Sequence, residues 1–186
     1  LDFLGNKKIP VVAPFANSED LYNYPNLIVM ETADIVFANR IAKEVEESYN
    51  NEKIFIVSGN NKSISQALKN NLSKSLKNAN INIVNTADEI QLDKNMMTGK
   101  PAPVITILAS NNDNDGTLFT NKVIELANEV NGIKAFSLYH TNSFDKKSEA
   151  LYKVNLIYLI DRKINIEGTF EQEIMAQYKE KYCKNI

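Results

Sequence analysis

Short apolar runs alternate along the chain with longer amphipathic segments. The runs at residues 53–58 and 103–110 are rich in β-branched side chains and end at polar positions. Such runs are typical of parallel strands that are buried on both faces. Similar runs occupy residues 133–138 and 155–160, and a weaker one occupies residues 81–84. The pattern therefore predicts five strands.

Between these runs, apolar residues recur every three or four positions, as they do on the buried face of an amphipathic helix. A further helix is predicted near the end of the chain, where Thr169 and Gln172 fit a capping box. The predicted apolar faces are Ile35, Ala38, Ala42, Val45 and Tyr49; Ile64, Leu68, Leu72 and Leu76; Phe119, Val123, Ala127 and Val130; and Phe170, Ile174, Tyr178 and Tyr182.

Strands that alternate with helices indicate an α/β fold with right-handed crossovers, in the form of a three-layer α/β/α sandwich. We expect a mainly parallel, Rossmann-like sheet of five strands in the order 2-1-3-4-5, counted from the strand at residue 53. Two segments break the alternation. Residues 86–102 predict a short helix followed by a surface loop, and residues 111–116 predict a polar loop at the carboxyl end of a strand.

The composition is that of a single soluble globular domain. The chain has 186 residues, of which 44% are hydrophobic and 24% are charged, close to the averages for such domains. Its net charge of -2 provides no broad basic surface, so nucleic acid is not expected as a partner. No run reaches the roughly 18 apolar residues that a membrane span needs. Cys183 is the only cysteine, which excludes an intrachain disulfide.

The sequence lacks the common motifs of enzyme chemistry. It contains no GxGxxG, GxxxxGK[ST] or GxSxG motif, and therefore offers neither a phosphate cradle nor a nucleophile elbow. His140 is the only histidine, and we expect a surface or hydrogen-bonded residue because zinc needs further His or Cys ligands. Asn111, Asp113 and Asp115 have the spacing of an EF-hand loop, but Lys122 stands where a bidentate Glu is required. We predict no enzyme activity, no metal site and no cofactor.

Residues 9–34 read IPVVAPFANSEDLYNYPNLIVMETAD. A strand is followed by a polar loop, a second short strand at residues 27–30 and the start of a helix. This order resembles the hinge-proximal segment of type I periplasmic binding proteins, the two-lobed extracellular receptors for branched-chain amino acids and similar solutes. Residues 133–144 are similar to the family's ligand-facing strand and loop, and residues 155–182 to its return crossover and the following helix.

The resemblance implies a single domain, residues 1–186, that corresponds to the second lobe of a longer receptor. Residues 34–163 would form the core of this lobe, and residues 1–33 and 164–186 would be crossover elements toward a missing first lobe. The resemblance also implies a periplasmic or cell-envelope location. Similar domains occur in bacterial proteins that carry a LysM peptidoglycan-binding module.

The function implied by the resemblance is non-catalytic recognition of a small polar or amino-acid-like solute. The family's loop after its first strand holds such ligands through hydroxyl and backbone groups, which places Asn17 and Ser18 at the site. Later loops at carboxyl strand ends would add Asn111, Asp113 and Tyr139. Two alternatives stay open: a degenerate receptor-like domain that contacts a protein or the cell wall, and a flavodoxin-like enzyme or regulatory domain.

Overall fold

The computed structural model describes residues 10–13, 19–24, 26–29, 32–92, 103–130 and 132–160. The helix predicted at Thr169 lies outside the described residues. The strands are β1 Val11–Ala13, β2 Leu27–Val29, β3 Lys53–Val57, β4 Ile81–Val84, β5 Val104–Leu108, β6 Lys134–Ser137 and β7 Ile157–Tyr158. The α-helices are α1 Asp34–Ser48, α2 Lys62–Ser75, α3 Asp113–Glu129, α4 Asn142–Lys146 and α5 Ser148–Tyr152, and short 3-10 helices span Glu19–Asn23 and Ala87–Glu89.

The strands β3 to β7 form one sheet in the order β4-β3-β5-β6-β7. This is the predicted order 2-1-3-4-5, and every pairing within the sheet is parallel. The interior strands β3 and β5 run in register, with Ile54 opposite Ile105 and Ile56 opposite Ile107. The strand predicted at residues 155–160 is shorter than expected, since only Ile157–Tyr158 pair with β6 at the edge of the sheet.

Helices cover both faces of this sheet, because successive side chains of a strand point to opposite faces. Ile56 belongs to a buried cluster that includes Ile41 of α1 and Leu68 of α2. The next residue, Val57, belongs to the opposite cluster, which includes Phe119 of α3. The predicted three-layer α/β/α sandwich is therefore confirmed.

The predicted apolar stripes supply the buried faces of the three long helices. The ends of the stripes contribute less, because Tyr49 and Leu76 lie just beyond the last turns of α1 and α2 and are only half-buried. The fully or nearly fully buried helix residues among the predicted stripes are Ala38, Ala42 and Val45 in α1, Leu68 and Leu72 in α2, and Phe119 and Val123 in α3.

The prediction of a polar loop over residues 111–116 is wrong from Asp113 onward, because α3 begins there. The side chain of Asn112 accepts a hydrogen bond of 2.8 Å from the backbone N–H of Asn114, which caps the helix. Asp113 and Asp115 lie in its first turn, where negative charge interacts favourably with the helix dipole. The predicted short helix after residue 86 is a 3-10 turn at Ala87–Glu89.

The strands β1 and β2 form a separate two-stranded parallel sheet. Val12 pairs with Ile28 in the register of this sheet, and both side chains are more than half exposed, at 54% and 53%. Two adjacent apolar side chains of one small sheet are therefore in contact with solvent. An isolated pair of strands is marginally stable in water.

Candidate functional site at the carboxyl edge of the sheet

Three loops follow the central strands at the carboxyl edge of the sheet: the β3 loop (residues 58–61), the β5 loop (residues 109–112) and the β6 loop (residues 138–141). They lie side by side because the strands are parallel and β5 lies between β3 and β6. Ligands of open α/β sheets bind at this edge. Asn111 and Tyr139 lie in these loops, and Asp113 directly follows the β5 loop.

The β3 and β5 loops touch at Gly59, whose φ of +49 lies in the left-handed region that favours glycine. Ser110 Oγ donates a hydrogen bond of 2.6 Å to Asp115 Oδ2. A Cβ atom added at Gly59 would lie 2.1 Å from that carboxylate oxygen. The two loops are therefore packed without space between them, and a bound solute would lie above this contact rather than between the strands.

The β5 and β6 loops are held together by the first residues of the helices that follow them, Asp113 of α3 and Asn142 of α4. Asp113 Oδ1 accepts a hydrogen bond of 3.0 Å from the backbone N–H of Asn142, and Asp113 Oδ2 accepts one of 2.6 Å from Asn142 Nδ2. Below this pair, Gly116 is packed so closely that an added Cβ atom would lie 2.5 Å from Thr141 Oγ1. The segments that follow β5 and β6 are thus in direct contact.

A polar cluster on the other side of the edge is centred on Tyr139. Asn61 Nδ2 donates a hydrogen bond of 3.4 Å to the Tyr139 hydroxyl, and the Tyr139 ring packs edge-on against Phe37 at a centroid distance of 5.8 Å. Burial, and then the hydrogen bond and charge of Asp34, raise the pKa of Tyr139 well above its usual range, while the Asn61 hydrogen bond opposes this shift. The hydroxyl is therefore protonated at physiological pH. The Tyr139 side chain connects the β6 loop with α1 and the β3 loop.

His140 lies at the surface and forms a hydrogen bond, as expected from the sequence. Its Nε2 atom is 2.9 Å from Asp145 Oδ1, and its ring lies 5.3 Å from the ring of Tyr158 and 6.1 Å from that of Phe144. Within the described ranges, no three His, Cys, Asp or Glu side chains are grouped as metal ligands would be.

The predicted site residues have different outcomes. Asn17 and Ser18 lie outside the described residues, and their position at the site stays a prediction. Asn111 is exposed in the β5 loop. Asp113 and Tyr139 lie at the same edge, but both are engaged by neighbouring side chains, Asn142 and Asn61 respectively.

Asn61, Asp34 and Asn142 are not among the residues that the sequence predicts for this site. A signal for Asn61 was present, because Ser58, Gly59 and two asparagines follow β3 directly, and polar residues after a buried parallel strand lie at the ligand-binding edge. Asp34 gave no comparable signal. It lies near Tyr139 only through the packing of α1 against the sheet.

The sheet order, the helices on both faces and the polar loops at the carboxyl edge define a lobe of the type I periplasmic binding protein fold. Solved structures with this fold include an extracellular ligand-binding receptor from Verminephrobacter eiseniae, which is 11% identical, with a TM-score of 0.59 over 100% of this chain and 54% of its own. An ABC transporter substrate-binding protein from Desulfitobacterium hafniense is 16% identical, with a TM-score of 0.55 over 98% and 53% of the two chains.

A third structure with this fold is LivJ from Streptococcus pneumoniae, a branched-chain amino acid substrate-binding protein in complex with isoleucine. It is 13% identical, with a TM-score of 0.52 over 98% of this chain and 53% of its own. The chain thus spans about half the length of these three structures. No protein-family model and no curated protein sequence matches the chain. At these identities the likeness shows the fold alone.

Proposed function

We propose that the chain is the solute-recognition lobe of a receptor of the periplasmic binding protein type, and that it is not an enzyme. The observation that carries the proposal is the contact between Asn61 and Tyr139, which joins the β3 and β6 loops across the carboxyl end of β5. The contact holds a hydroxyl and an amide at the edge where open α/β sheets bind ligands. The three solved structures named above are ligand- or substrate-binding proteins by their descriptions.

The side chains at this edge favour a small polar or amino-acid-like solute. Asn61 and Asn142 offer amide donors and acceptors, Tyr139 offers a hydroxyl, and Asp34 and Asp113 offer carboxylates. This set matches a ligand that carries both an ammonium and a carboxylate group, such as the isoleucine bound to LivJ. Asn17 and Ser18 would complete the set from the loop after β1.

The small β1–β2 sheet supports the proposal that a first lobe completes the receptor. Val12 and Ile28 are exposed neighbours on one face of this sheet, and exposed apolar pairs of this kind are stabilised when further structure covers them. In this arrangement residues 34–163 form the second-lobe core, and residues 1–33 and 164–186 cross toward the first lobe. A solute would then be enclosed between two walls, which bury most of a ligand's surface.

The same proposal places the protein in the periplasm or at the cell envelope, in keeping with the description of one similar structure as an extracellular ligand-binding receptor. Among the helices that the structure describes, none is long and apolar enough to cross a bilayer. An association with a LysM module stays a prediction from the sequence.

The test is a solution NMR titration of the 186-residue chain with isoleucine and other amino acids. One wall alone should bind in the millimolar range, because a single lobe buries only part of the solute. We expect saturable shifts at the amides of residues 59–61 and 138–142. Tyr139→Phe and Asn61→Ala should weaken binding, since each removes a hydrogen-bonding group worth about 0.5–1.5 kcal/mol.

Matched controls make this titration specific. Asn128→Ala removes the same amide from an exposed position at the far end of α3 and should leave binding unchanged. Asn17→Ala and Ser18→Ala test the resemblance at residue level, and unchanged binding in both would remove the loop after β1 from the site. Saturable shifts only at other parts of the chain would contradict the proposed location.

The second candidate is a degenerate receptor-like domain that contacts another macromolecule. It is favoured by the mutual hydrogen bonds of the edge residues, since Ser110 engages Asp115 and Asn142 engages both oxygens of Asp113. Polar groups that already form hydrogen bonds with one another gain less free energy from binding a ligand. The absence of saturable shifts with every solute would favour this candidate over solute recognition.

A further inference from the structure

A groove lies beside the edge strand β7, away from the Asn61–Tyr139 contact. Its volume is about 470 Å³, within the range of roughly 300–1,000 Å³ that is usual for small-molecule sites. We call it the β7 groove. It is lined by the aromatic side chains of Phe144, Tyr152 and Tyr158 and the aliphatic side chains of Leu151, Leu156 and Ile157.

The turn between α5 and β7 shapes one wall of the β7 groove. Leu156 N–H donates to Leu151 O and Asn155 N–H donates to Tyr152 O, which is the hydrogen-bond pattern of a Schellman motif. Asn155 takes the left-handed position of this motif, with φ of +48, where asparagine is tolerated. The backbone hydrogen bonds thus fix the turn that carries Asn155 and Leu156, and the groove does not depend on side-chain contacts alone.

Two of the aromatic rings of the groove are fixed by packing against each other and against His140. Phe144 and Tyr158 lie 5.5 Å apart between ring centroids, and His140 packs against both. Tyr152 stands at the outer side, with 83% of its surface exposed. An exposed ring beside a packed aromatic pair offers π faces to a ligand, and π faces attract cations.

The polar lining of the groove indicates the charge of its ligand. Asp145 is the only charged residue among the described residues that line it, with Ser148 and Asn155 as neutral polar neighbours. Asp145 Oδ1 lies 2.9 Å from His140 Nε2. Lys147, which precedes α5, donates instead to Asn121 on α3. A negative charge beside aromatic rings attracts an ammonium group and repels a carboxylate.

We propose that the β7 groove is a second binding site, for a small organic amine with an apolar body. The apolar body lies against Leu151, Leu156 and the tyrosine rings, and the ammonium group lies near Asp145. This site is separate from the one proposed at the carboxyl edge, and each can be present without the other.

Tryptamine is a suitable probe, because the chain contains no tryptophan and the indole fluorescence therefore comes from the probe alone. We expect its fluorescence anisotropy to rise saturably when the 186-residue chain is added. Indole-3-propionate has the same ring and spacer but carries a carboxylate, and it should bind about three- to fivefold more weakly, as expected for one exposed charge pair. Equal affinity for both probes would overturn the assignment of an amine ligand.

Two variants and their controls locate the site. Tyr152→Ala should weaken tryptamine binding about fivefold, because it removes a ring against which the apolar body of the probe packs, and it cannot disturb the core because this ring is exposed. Asp145→Asn should abolish the preference for tryptamine over indole-3-propionate, whereas Glu149→Gln, at an exposed position of α5 outside the groove lining, should preserve it. Asn128→Ala, at an exposed position of α3 outside the groove lining, should leave tryptamine binding unchanged. Absence of saturable binding, or binding that Tyr152→Ala does not weaken, would overturn the proposal.

Discussion

The close approach at Gly59 makes a quantitative prediction about the loops that carry the candidate site. Gly59→Ala places a Cβ atom 2.1 Å from Asp115 Oδ2 and 2.8 Å from both Cβ and Oγ of Ser110. The Asp115 carboxylate must then move, and its 2.6 Å hydrogen bond with Ser110 is lost. The β3 loop, which orients Asn61, is displaced with it.

The expected loss of stability is the sum of three contributions. An alanine at φ of +49 costs about 1 kcal/mol relative to glycine, the lost hydrogen bond costs about 1 kcal/mol, and the remaining crowding against Ser110 costs about 1 kcal/mol. We therefore expect about 3 kcal/mol in total. Gly132→Ala is the matched control, because Gly132 has φ of +79 with open space around it. It should cost about 1 kcal/mol.

The assay is urea unfolding followed by far-UV circular dichroism, combined with thermal unfolding. In a domain of this size 1 kcal/mol lowers Tm by about 2–4 °C, so Gly59→Ala should lower Tm by roughly 6–12 °C. A double-mutant cycle with Asp115→Ala isolates the contact, since removal of the carboxylate removes the clash. The cycle should give a coupling energy of about 1–2 kcal/mol.

The outcome that would refute this reasoning is a Gly59→Ala variant that is no less stable than Gly132→Ala. Backbone strain would then account for the whole loss of stability. The inference that the β3 and β5 loops are closely packed would be wrong. A coupling energy near zero in the cycle with Asp115→Ala would lead to the same conclusion.

Two further predictions concern a charge pair and a helix cap. Burial raises the pKa of Glu52, but the hydrogen bonds from Lys134 and from the backbone N–H of Asn50 outweigh burial and hold this pKa below its ordinary value of 4.5. The resulting stabilisation is present at pH values above 4.5. It is lost as the pH falls through the lowered pKa. Glu52→Gln should therefore flatten the pH dependence of Tm below about pH 4.5, and an unchanged slope would contradict the shift. Asn112→Ala should cost about 1 kcal/mol through loss of the cap on α3, whereas Asn112→Ser should cost only a few tenths; equal losses in urea unfolding would remove Asn112 as the cap.

Much of the fold was predictable because it depends on local periodicity. The β-branched run around Ile54 and Ile56 and the stripe through Leu68 and Leu72 are set by neighbours in the chain, and both form the predicted elements. The expected strand order 2-1-3-4-5 is also observed, and it is one of the few orders that right-handed connections between parallel strands allow. The start of α3 was misplaced because a single capping side chain, Asn112, decides it, and a run of polar residues is equally typical of a loop.

Only the location of the candidate site, at the carboxyl edge of the sheet, was predictable from the sequence. The sequence alone places Tyr139 and Asp113 after strands that end together, since parallel strands share their carboxyl edge. It cannot say that Asn61 reaches the Tyr139 hydroxyl or that Asp34 raises its pKa, because residues so far apart in the chain meet only when α1 and the β6 loop have packed. The β7 groove likewise depends on how α4, α5 and the edge strand meet, and its apolar residues have no periodicity of their own. Local pattern thus determined the elements and their order, whereas contacts between distant segments, which only the tertiary structure decides, determined the chemistry.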